Sequence, residues 1–160
     1  TQSRSSAASD VYKRQTIMGI KTNSDSDLVR VLKKDGVGHS ELVKYENCST
    51  VNLSDLRDDL GMGSWAVRIA YNDLFGGVVI QQHPGEGNRK HFHPDADENW
   101  VILDGEWEWW IEGIGTQRVK KNDIIVVPKN TWHHIKCVGD GPGVRYAITR
   151  PDVSHVYEDE

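Results

Sequence analysis

The chain has 160 residues, the length of one folded domain with a substantial core. Its 24 acidic and 19 basic side chains give a formal net charge of -5, without a basic stripe. We therefore expect neither nucleic acid nor an anionic membrane as a partner. Two cysteines, Cys48 and Cys137, are too few for a disulfide scaffold and predict a cytoplasmic location.

The amino-terminal segment, residues 1–17, is rich in serine, polar and without hydrophobic periodicity. It resembles translated adaptor sequence, in which case the native chain starts at Met18; an ordinary disordered tail is the alternative. Both interpretations give the segment no function. Residues 18–62 are predicted to form an N-terminal extension of strand and helix segments, packed on a β-barrel domain formed by residues 63–157.

Two stretches of the extension carry local structural signals. Ser26–Lys34 alternates weakly and fits either a short strand or a helical turn. Leu53–Gly61 predicts a short helix, with Ser54 as its N-cap and Gly61 as its end.

From Trp65 onwards the hydrophobic pattern has a period of two, which is typical of strands with one buried face. Turns containing Gly, Pro or Asn separate these segments about every 8–12 residues. Six segments show the pattern: SWAVRIAY, GGVVIQQH, NWVILDG, EWEWWIEG, DIIVVP and GVRYAITRP. They predict an all-β fold, a sandwich or a barrel, with the jelly roll among the usual solutions.

Tryptophan is abundant, with six residues in the chain. Four of them lie close together in sequence, at Trp100, Trp107, Trp109 and Trp110. Aromatic rings dominate both cores and subunit contacts, so these residues predict either a barrel core or the contact of a homodimer.

The stretch KHFHPDADENW, residues 90–100, contains candidate metal ligands. On a strand His91 and His93 point to the same face, and the turn after them can return Glu98 to that face. His133 is available farther along the chain. Three imidazoles and one carboxylate suit Fe(II), Mn, Co, Ni, Cu(II) or Zn, and four protein ligands leave open positions on a six-coordinate ion. Core histidines without a metal are the alternative.

These residues resemble the two motifs of the cupin superfamily. The first motif is matched at every position by Gly85, His91, His93, Glu98 and Gly105. The second is matched in spacing by Asn122, Pro128, Asn130, His133 and Cys137. Asparagine replaces both glycines of the second motif and tolerates positive φ, whereas Cys137 replaces the final asparagine. The resemblance implies a cupin-type jelly-roll barrel that holds one divalent transition metal ion, with Fe(II) as the first choice.

Three further residues are candidates for the chemistry. Arg89 shares the parity of His91 and His93, so on a regular strand it would face the interior and clamp a substrate anion. The alternatives for Arg89 are an ion pair with an interior acid, or a surface position if the strand is bulged. Arg145 and Tyr146 point to opposite faces of the last strand. An inward Tyr146 would act as a general acid or base, and a core tyrosine is the alternative.

Other polar residues near the ligands receive weaker assignments. Asp95 and Asp97 fit either the turn or a role in orienting a ligand histidine. His134 is expected to face outward, and His39 and His155 are expected on the surface.

Three functions fit the sequence. The first is a metal-dependent enzyme acting on a small, anionic molecule, with a non-haem Fe(II) dioxygenase as first choice. GEGNRKHFH resembles the 3-hydroxyanthranilate dioxygenase type of cupin, in which an arginine four residues before a ligand histidine grips the substrate carboxylate. The second is an isomerase or lyase, because ENWVILDG resembles mannose-6-phosphate-isomerase-like cupins. The third is a cupin that binds a small ligand without turnover.

Overall fold

The computed structural model describes residues 24–158, so the predicted tail at residues 1–17 lies outside the described residues. Two helices are found in this range, α1 (Ser24–Lys34) and α2 (Leu53–Leu60). The stretch Ser26–Lys34, for which the sequence allowed either a strand or a helical turn, is helical and belongs to α1. Helix α2 confirms the predicted helix and ends at Gly61, whose φ is 77°. Its N-cap is Asn52, not Ser54, because the Asn52 side chain accepts a hydrogen bond from the Ser54 N–H.

The rest of the described chain is built from strands joined by turns. These strands are β1 (His39–Glu41), β2 (Trp65–Tyr71), β3 (Gly76–Gln82), β4 (Gly87–Phe92), β5 (Glu98–Asp104), β6 (Glu106–Ile111), β7 (Gly115–Lys120), β8 (Ile124–Val127), β9 (His133–Cys137), β10 (Gly143–Thr149) and β11 (Val156–Tyr157). Six of them form one sheet in the order β1-β2-β3-β10-β5-β8, and five form a second in the order β11-β4-β9-β6-β7. The fold is the predicted all-β jelly roll.

The main core lies between the two sheets. Trp100 comes from the six-stranded sheet and Trp107 and Trp109 from the five-stranded one, and each is at most 1% exposed. The Trp100 and Trp109 rings meet edge to face with centroids 5.2 Å apart. These three tryptophans therefore confirm the core interpretation, while Trp110, on the outer parity of β6, is only half-buried.

The segments before β2 pack on both sides of the six-stranded sheet. Leu56 of α2 joins a second core on the outer face with Trp65 and Val67. Leu32 of α1 joins the core between the sheets. Helix α1 therefore lies where it can close one side of the barrel interior. Neither described helix has the length and apolar character needed to cross a membrane.

Candidate metal centre

The four predicted ligands meet inside the barrel. His91 lies on β4 opposite His133 on β9, His93 follows β4, and Glu98 begins β5. All four are at most 4% exposed. One potential ligand atom from each residue lies within 4.8 Å of the others. Two neighbouring strands of one sheet and one strand of the facing sheet thus bring the side chains to a single point.

Backbone carbonyls fix the tautomer of all three histidines. In each ring Nδ1 lies within hydrogen-bond distance of a carbonyl oxygen, which can only accept, so Nδ1 carries the proton. The distances from His91, His93 and His133 to the carbonyls of Arg89, Ser154 and Thr131 are 2.6, 2.8 and 3.1 Å, respectively. Each Nε2 therefore presents its lone pair as a ligand atom.

The environment of Glu98 and the histidines fits a cation. One carboxylate oxygen, Oε2 of Glu98, lies 3.2 Å from Nε2 of both His93 and His133. Nε2 of His133 is buried and makes no well-directed hydrogen bond, even to the Glu98 oxygen 3.2 Å away, an arrangement that is unfavourable unless another group satisfies it. A metal ion between these atoms would satisfy that nitrogen and neutralise the carboxylate. The residues present therefore fit a metal ion.

The protonation states of His91 and Glu98 agree with this donor set. Burial, followed by repulsion from His133, lowers the pKa of His91 to about 2, so its imidazole is neutral. Burial alone would raise the pKa of Glu98, but His93 and His133 outweigh it and hold that pKa well below its usual value. Burial lowers the pKa of His93, but the charge and hydrogen bond of Glu98, the Ser154 carbonyl and the charge of Asp95 together outweigh burial and raise it. The carboxylate is thus ionised and ready to bind a cation.

The two acids of the connecting turn hold the segments that carry the ligands. Asp95 accepts hydrogen bonds from the backbone N–H and the hydroxyl of Ser154, whose carbonyl holds His93. Asp97 accepts from the backbone N–H of Lys129, in the turn that leads to β9. The orienting role considered for these aspartates is therefore exerted through the backbone and not directly on an imidazole.

Asparagine supports the turns in which it replaces glycine. Asn122 and Asn130 have φ values of 78° and 61°, in the left-handed region that asparagine tolerates. The backbone N–H of Asn130 donates to the carbonyl of His93 over 2.8 Å, so this turn also contacts the metal-ligand segment. The second motif consequently keeps its geometry without its glycines.

A cavity of about 500 Å³ borders the metal centre at Glu98, which is the one of the four ligands that lines it, and Trp100 forms another part of its wall. This volume is typical of sites for small molecules. Helix α1 supplies apolar side chains to the lining, and the segment 150–155 supplies polar ones. Polar and charged lining residues are Asp35, Arg68, Tyr71, Asn88, Glu98, Thr149, Arg150, Asp152, Ser154 and His155.

The predicted orientation of Arg89 needs correction. The pairing of β4 with β9 shifts between Asn88 and His91, so the strand is irregular and the parity changes. Asn88 lines the cavity, whereas the Arg89 guanidinium pairs with Asp35 at 2.9 Å and lies 3.8 Å from the centroid of the Tyr157 ring. The ion pair with an interior acid, one of the alternatives from the sequence, is the arrangement found.

Tyr146 also does not lie where a catalytic acid or base could contact a substrate in the cavity. It packs against the second core, on the outer face of the six-stranded sheet, and does not line the cavity. Its neighbour Arg145 is the inward residue and is fully buried. The alternation of β10 is regular here, so the core-tyrosine alternative describes Tyr146.

Sequence reasoning missed three residues of the cavity. His155 was expected on the surface, but its ring packs edge-on against His93, with centroids 4.6 Å apart, and lines the cavity. Arg68 was visible on the face of β2 opposite Trp65, a signal that pointed to the interior. Asn88 had no distinguishing signal, because its inward position depends on the irregularity of β4.

Comparisons with known proteins agree with this fold. Residues 78–149 match the family model of the cupin domain. The uncharacterized protein YdbB of Bacillus subtilis is 37% identical over 46 residues, which cover 29% of this chain and 41% of that protein. The match thus spans less than half of the relative.

Solved structures show the same architecture. An uncharacterized conserved protein with a double-stranded beta-helix domain from Klebsiella pneumoniae has a TM-score of 0.55 and 19% identity, over 61% of this chain and 81% of that one. KdgF from Halomonas sp. has a TM-score of 0.52 and 20% identity, over 56% and 81% of the two chains. Residues 78–149 therefore match a cupin domain, and the barrel around them has the same architecture as these solved structures.

Proposed function

We propose that this protein is a mononuclear metal-dependent enzyme acting on a small organic anion, and that it is an Fe(II)-dependent dioxygenase. The observation that supports this most directly is the placement of the ligand set at a cavity wall. Three Nε2 atoms and one carboxylate converge where Glu98 borders about 500 Å³ of space. A purely structural metal site would be closed by its protein ligands.

The chain holds the ligands and shapes the space beside them. His91, His93 and His133 would bind the ion through Nε2 and Glu98 through a carboxylate oxygen, each held by the contacts described above. A bound Fe(II) would supply the ability to activate dioxygen beside the substrate. Apolar side chains of α1 and the Trp100 ring limit the water that can reach the reacting groups.

Arg68 supports an anionic substrate. Its side chain is 6% exposed, lines the cavity and lies against the ring of Tyr71, with 4.3 Å between the guanidinium carbon and the ring centroid. It forms an ion pair with Glu46 in the absence of substrate. A guanidinium in this position can donate paired hydrogen bonds to the carboxylate of a substrate. We therefore assign to Arg68 the anion-binding role that the sequence suggested for Arg89.

The position of Tyr146 bears on the choice between reactions. An isomerase or lyase needs a side chain that moves a proton at the substrate, and the sequence offers Tyr146 or a histidine for this role. Because Tyr146 lies behind the sheet, that alternative would depend on a histidine, and His155 is the histidine that lines the cavity outside the ligand set. A dioxygenase places no such requirement on Tyr146.

Oxygen consumption tests the proposal. Protein loaded with Fe(II) is supplied with a panel of catechols and aminophenols that carry a carboxylate, and oxygen uptake is followed with an electrode. We expect uptake that depends on one of these compounds. The matched variants are His133→Ala and His134→Ala, because His133 is buried at the centre whereas its neighbour is exposed. His133→Ala should abolish uptake and His134→Ala should retain it.

Two results would contradict the proposal at different levels. An iron-loaded protein that consumes no oxygen with the whole panel argues against the dioxygenase and favours isomerase, lyase or binding activity. Equal uptake by wild type and His133→Ala would show that the reaction does not use this centre.

A further inference from the structure

Arg145 is a buried cation without a carboxylate beside it. It is 0% exposed, and its guanidinium carbon lies 5.1 Å from the ring centroid of Trp100 and 4.4 Å from that of Trp107. Within the described part of the chain no acid lies within ion-pair distance of it, and its Nε and Nη1 atoms have no hydrogen-bond partner. A charge in this position is expensive to bury, which points to a role other than stability.

The guanidinium determines how the amide of Asn88 is oriented. Nη2 of Arg145 donates a hydrogen bond to Oδ1 of Asn88. Because a guanidinium has only donors, the amide oxygen must face Arg145 and the amide nitrogen must face away. Asn88 lines the cavity, and no other hydrogen bond of its side chain is found among the described residues. Its NH₂ group is also absent from the buried polar groups without partners, so it is open to the cavity.

This arrangement positions the amide nitrogen of Asn88 to donate a hydrogen bond to an anion in the cavity. A charged donor on the amide oxygen polarises the amide and strengthens the N–H groups on its other end. The buried charge of Arg145, which Asp35 and Glu98 offset only from beyond ion-pair distance, adds a positive potential at the same side of the cavity. A negatively charged acceptor, such as a carboxylate oxygen, would receive a hydrogen bond from the Asn88 amide and would lie in the positive potential of Arg145.

We propose that Asn88 is a substrate-binding residue whose amide nitrogen donates a hydrogen bond to a carboxylate oxygen of the bound molecule, and that Arg145 is the positioning residue that orients this amide. The inference rests on the proposed function, since it names a contact for the anion at the same site. It adds a second contact to that of Arg68, which lines the same cavity from the other sheet.

Asn88→Asp separates this role from a structural one. Aspartate has the same shape and offers Arg145 a charged acceptor, so the fold should be at least as stable as wild type. The same substitution removes the N–H donors and adds a negative charge that repels anions. If Asn88 served only to satisfy Arg145, aspartate would replace it without a change in ligand binding.

The probe is oxalate, a small dicarboxylate, and binding is measured through the rise in melting temperature, in protein with and without Co(II). We expect oxalate to bind Asn88→Asp at least about tenfold more weakly than wild type, which is the loss of one charge-assisted hydrogen bond. Imidazole, a neutral ligand for the bound cobalt, should bind both proteins equally. Oxalate affinities within about twofold of each other would overturn the inference.

The metal-free arm keeps this inference distinct from the proposed function. If wild-type protein takes up no cobalt, the proposed enzyme is contradicted, yet the oxalate comparison on the metal-free protein still decides the role of Asn88. A second variant, Arg145→Met, replaces the buried charge by an apolar side chain of similar length, a change that buried sites tolerate. It should keep the fold and weaken oxalate binding about threefold to tenfold, because the amide loses its fixed orientation. Unchanged binding would contradict the positioning role.

Discussion

Strands β4 and β6 flank the same strand, β9, in one sheet, but their backbone pairing with it differs. Strand β6 pairs with β9 without interruption from Trp107 to Ile111, and every second side chain is buried. Strand β4 pairs with β9 only at Gly87, Asn88 and His91, with a shift between the last two. The regular strand builds the tryptophan core, whereas the irregular strand carries the metal ligand His91 and the cavity residue Asn88 and leads directly into the ligand His93.

The difference shows where the period-two rule applies. Side chains alternate as long as backbone pairing is continuous, so Trp107 and Trp109 face the core as predicted. An irregularity re-aims the residues that follow it, and such features are common next to functional sites. In β4, Asn88 therefore faces the interior in place of Arg89, which regular alternation would have placed there. Stability and function are therefore expected to separate between the two strands.

The largest effect should follow from removing the core on β6. Trp109→Ala deletes a side chain that is 0% exposed and contacts Trp100 and Trp107, so the free energy of unfolding should fall by about 3–5 kcal/mol. Urea denaturation followed by fluorescence measures this change. The matched control is Trp110→Ala, a half-buried neighbour, which should lose roughly 1 kcal/mol. Similar losses in both variants would show that β6 does not alternate as described.

A smaller effect on stability, with loss of the metal site, is expected at the start of β4. A Cβ at Gly87 would lie 1.8 Å from the carbonyl oxygen of Ile135 on β9, so the strands must separate. Gly87→Ala should lower the free energy of unfolding by roughly 1–3 kcal/mol and reduce bound metal, because His91 and His133 are aligned by this pairing. Gly63→Ala is the control, since nothing lies within 4 Å there. Full metal content in Gly87→Ala would mean that the pairing does not align the ligands.

The smallest effects should distinguish two arginines. Arg68→Ala should raise KM for an anionic substrate about tenfold, the loss of a charged contact, with little change in metal content. Arg89→Ala should leave KM unchanged and lower the free energy of unfolding by about 1 kcal/mol, a discounted value because its side chain is 34% exposed. Steady-state kinetics and urea denaturation give both numbers. A raised KM in Arg89→Ala alone would restore the clamp assigned from the sequence.

The sequence allowed most of the fold to be predicted, because most strands are regular. The alternation of EWEWWIEG identifies β6 and its buried face, and the spacing from His91 to His133 identifies the ligands independently of any irregularity in β4. Asn122 and Asn130 were expected to tolerate positive φ, and both do. These features depend on local pattern or on motif spacing, which the sequence displays directly.

The remainder of the site depends on contacts between distant segments. The shift in β4 reflects its pairing with β9, which no pattern within GNRKHF reveals. His155 reaches the cavity because Asp95 holds Ser154, 59 residues away in the chain. The weak alternation of Ser26–Lys34 does not distinguish a strand from the helix α1. The position of α1 over the interior comes from the packing of Leu32.

Metal content tests the central claim most directly. Protein purified without chelator and reloaded with Fe(II) is analysed by mass spectrometry of the metal, alongside His93→Ala and His134→Ala. The arrangement of the four ligands predicts about one ion per chain in wild type and His134→Ala, and less than roughly 0.2 in a folded His93→Ala. Wild-type protein that stays below roughly 0.2 ion per chain after reloading with Fe(II), Mn(II) or Ni(II), or His93→Ala with full content, would contradict the metal centre.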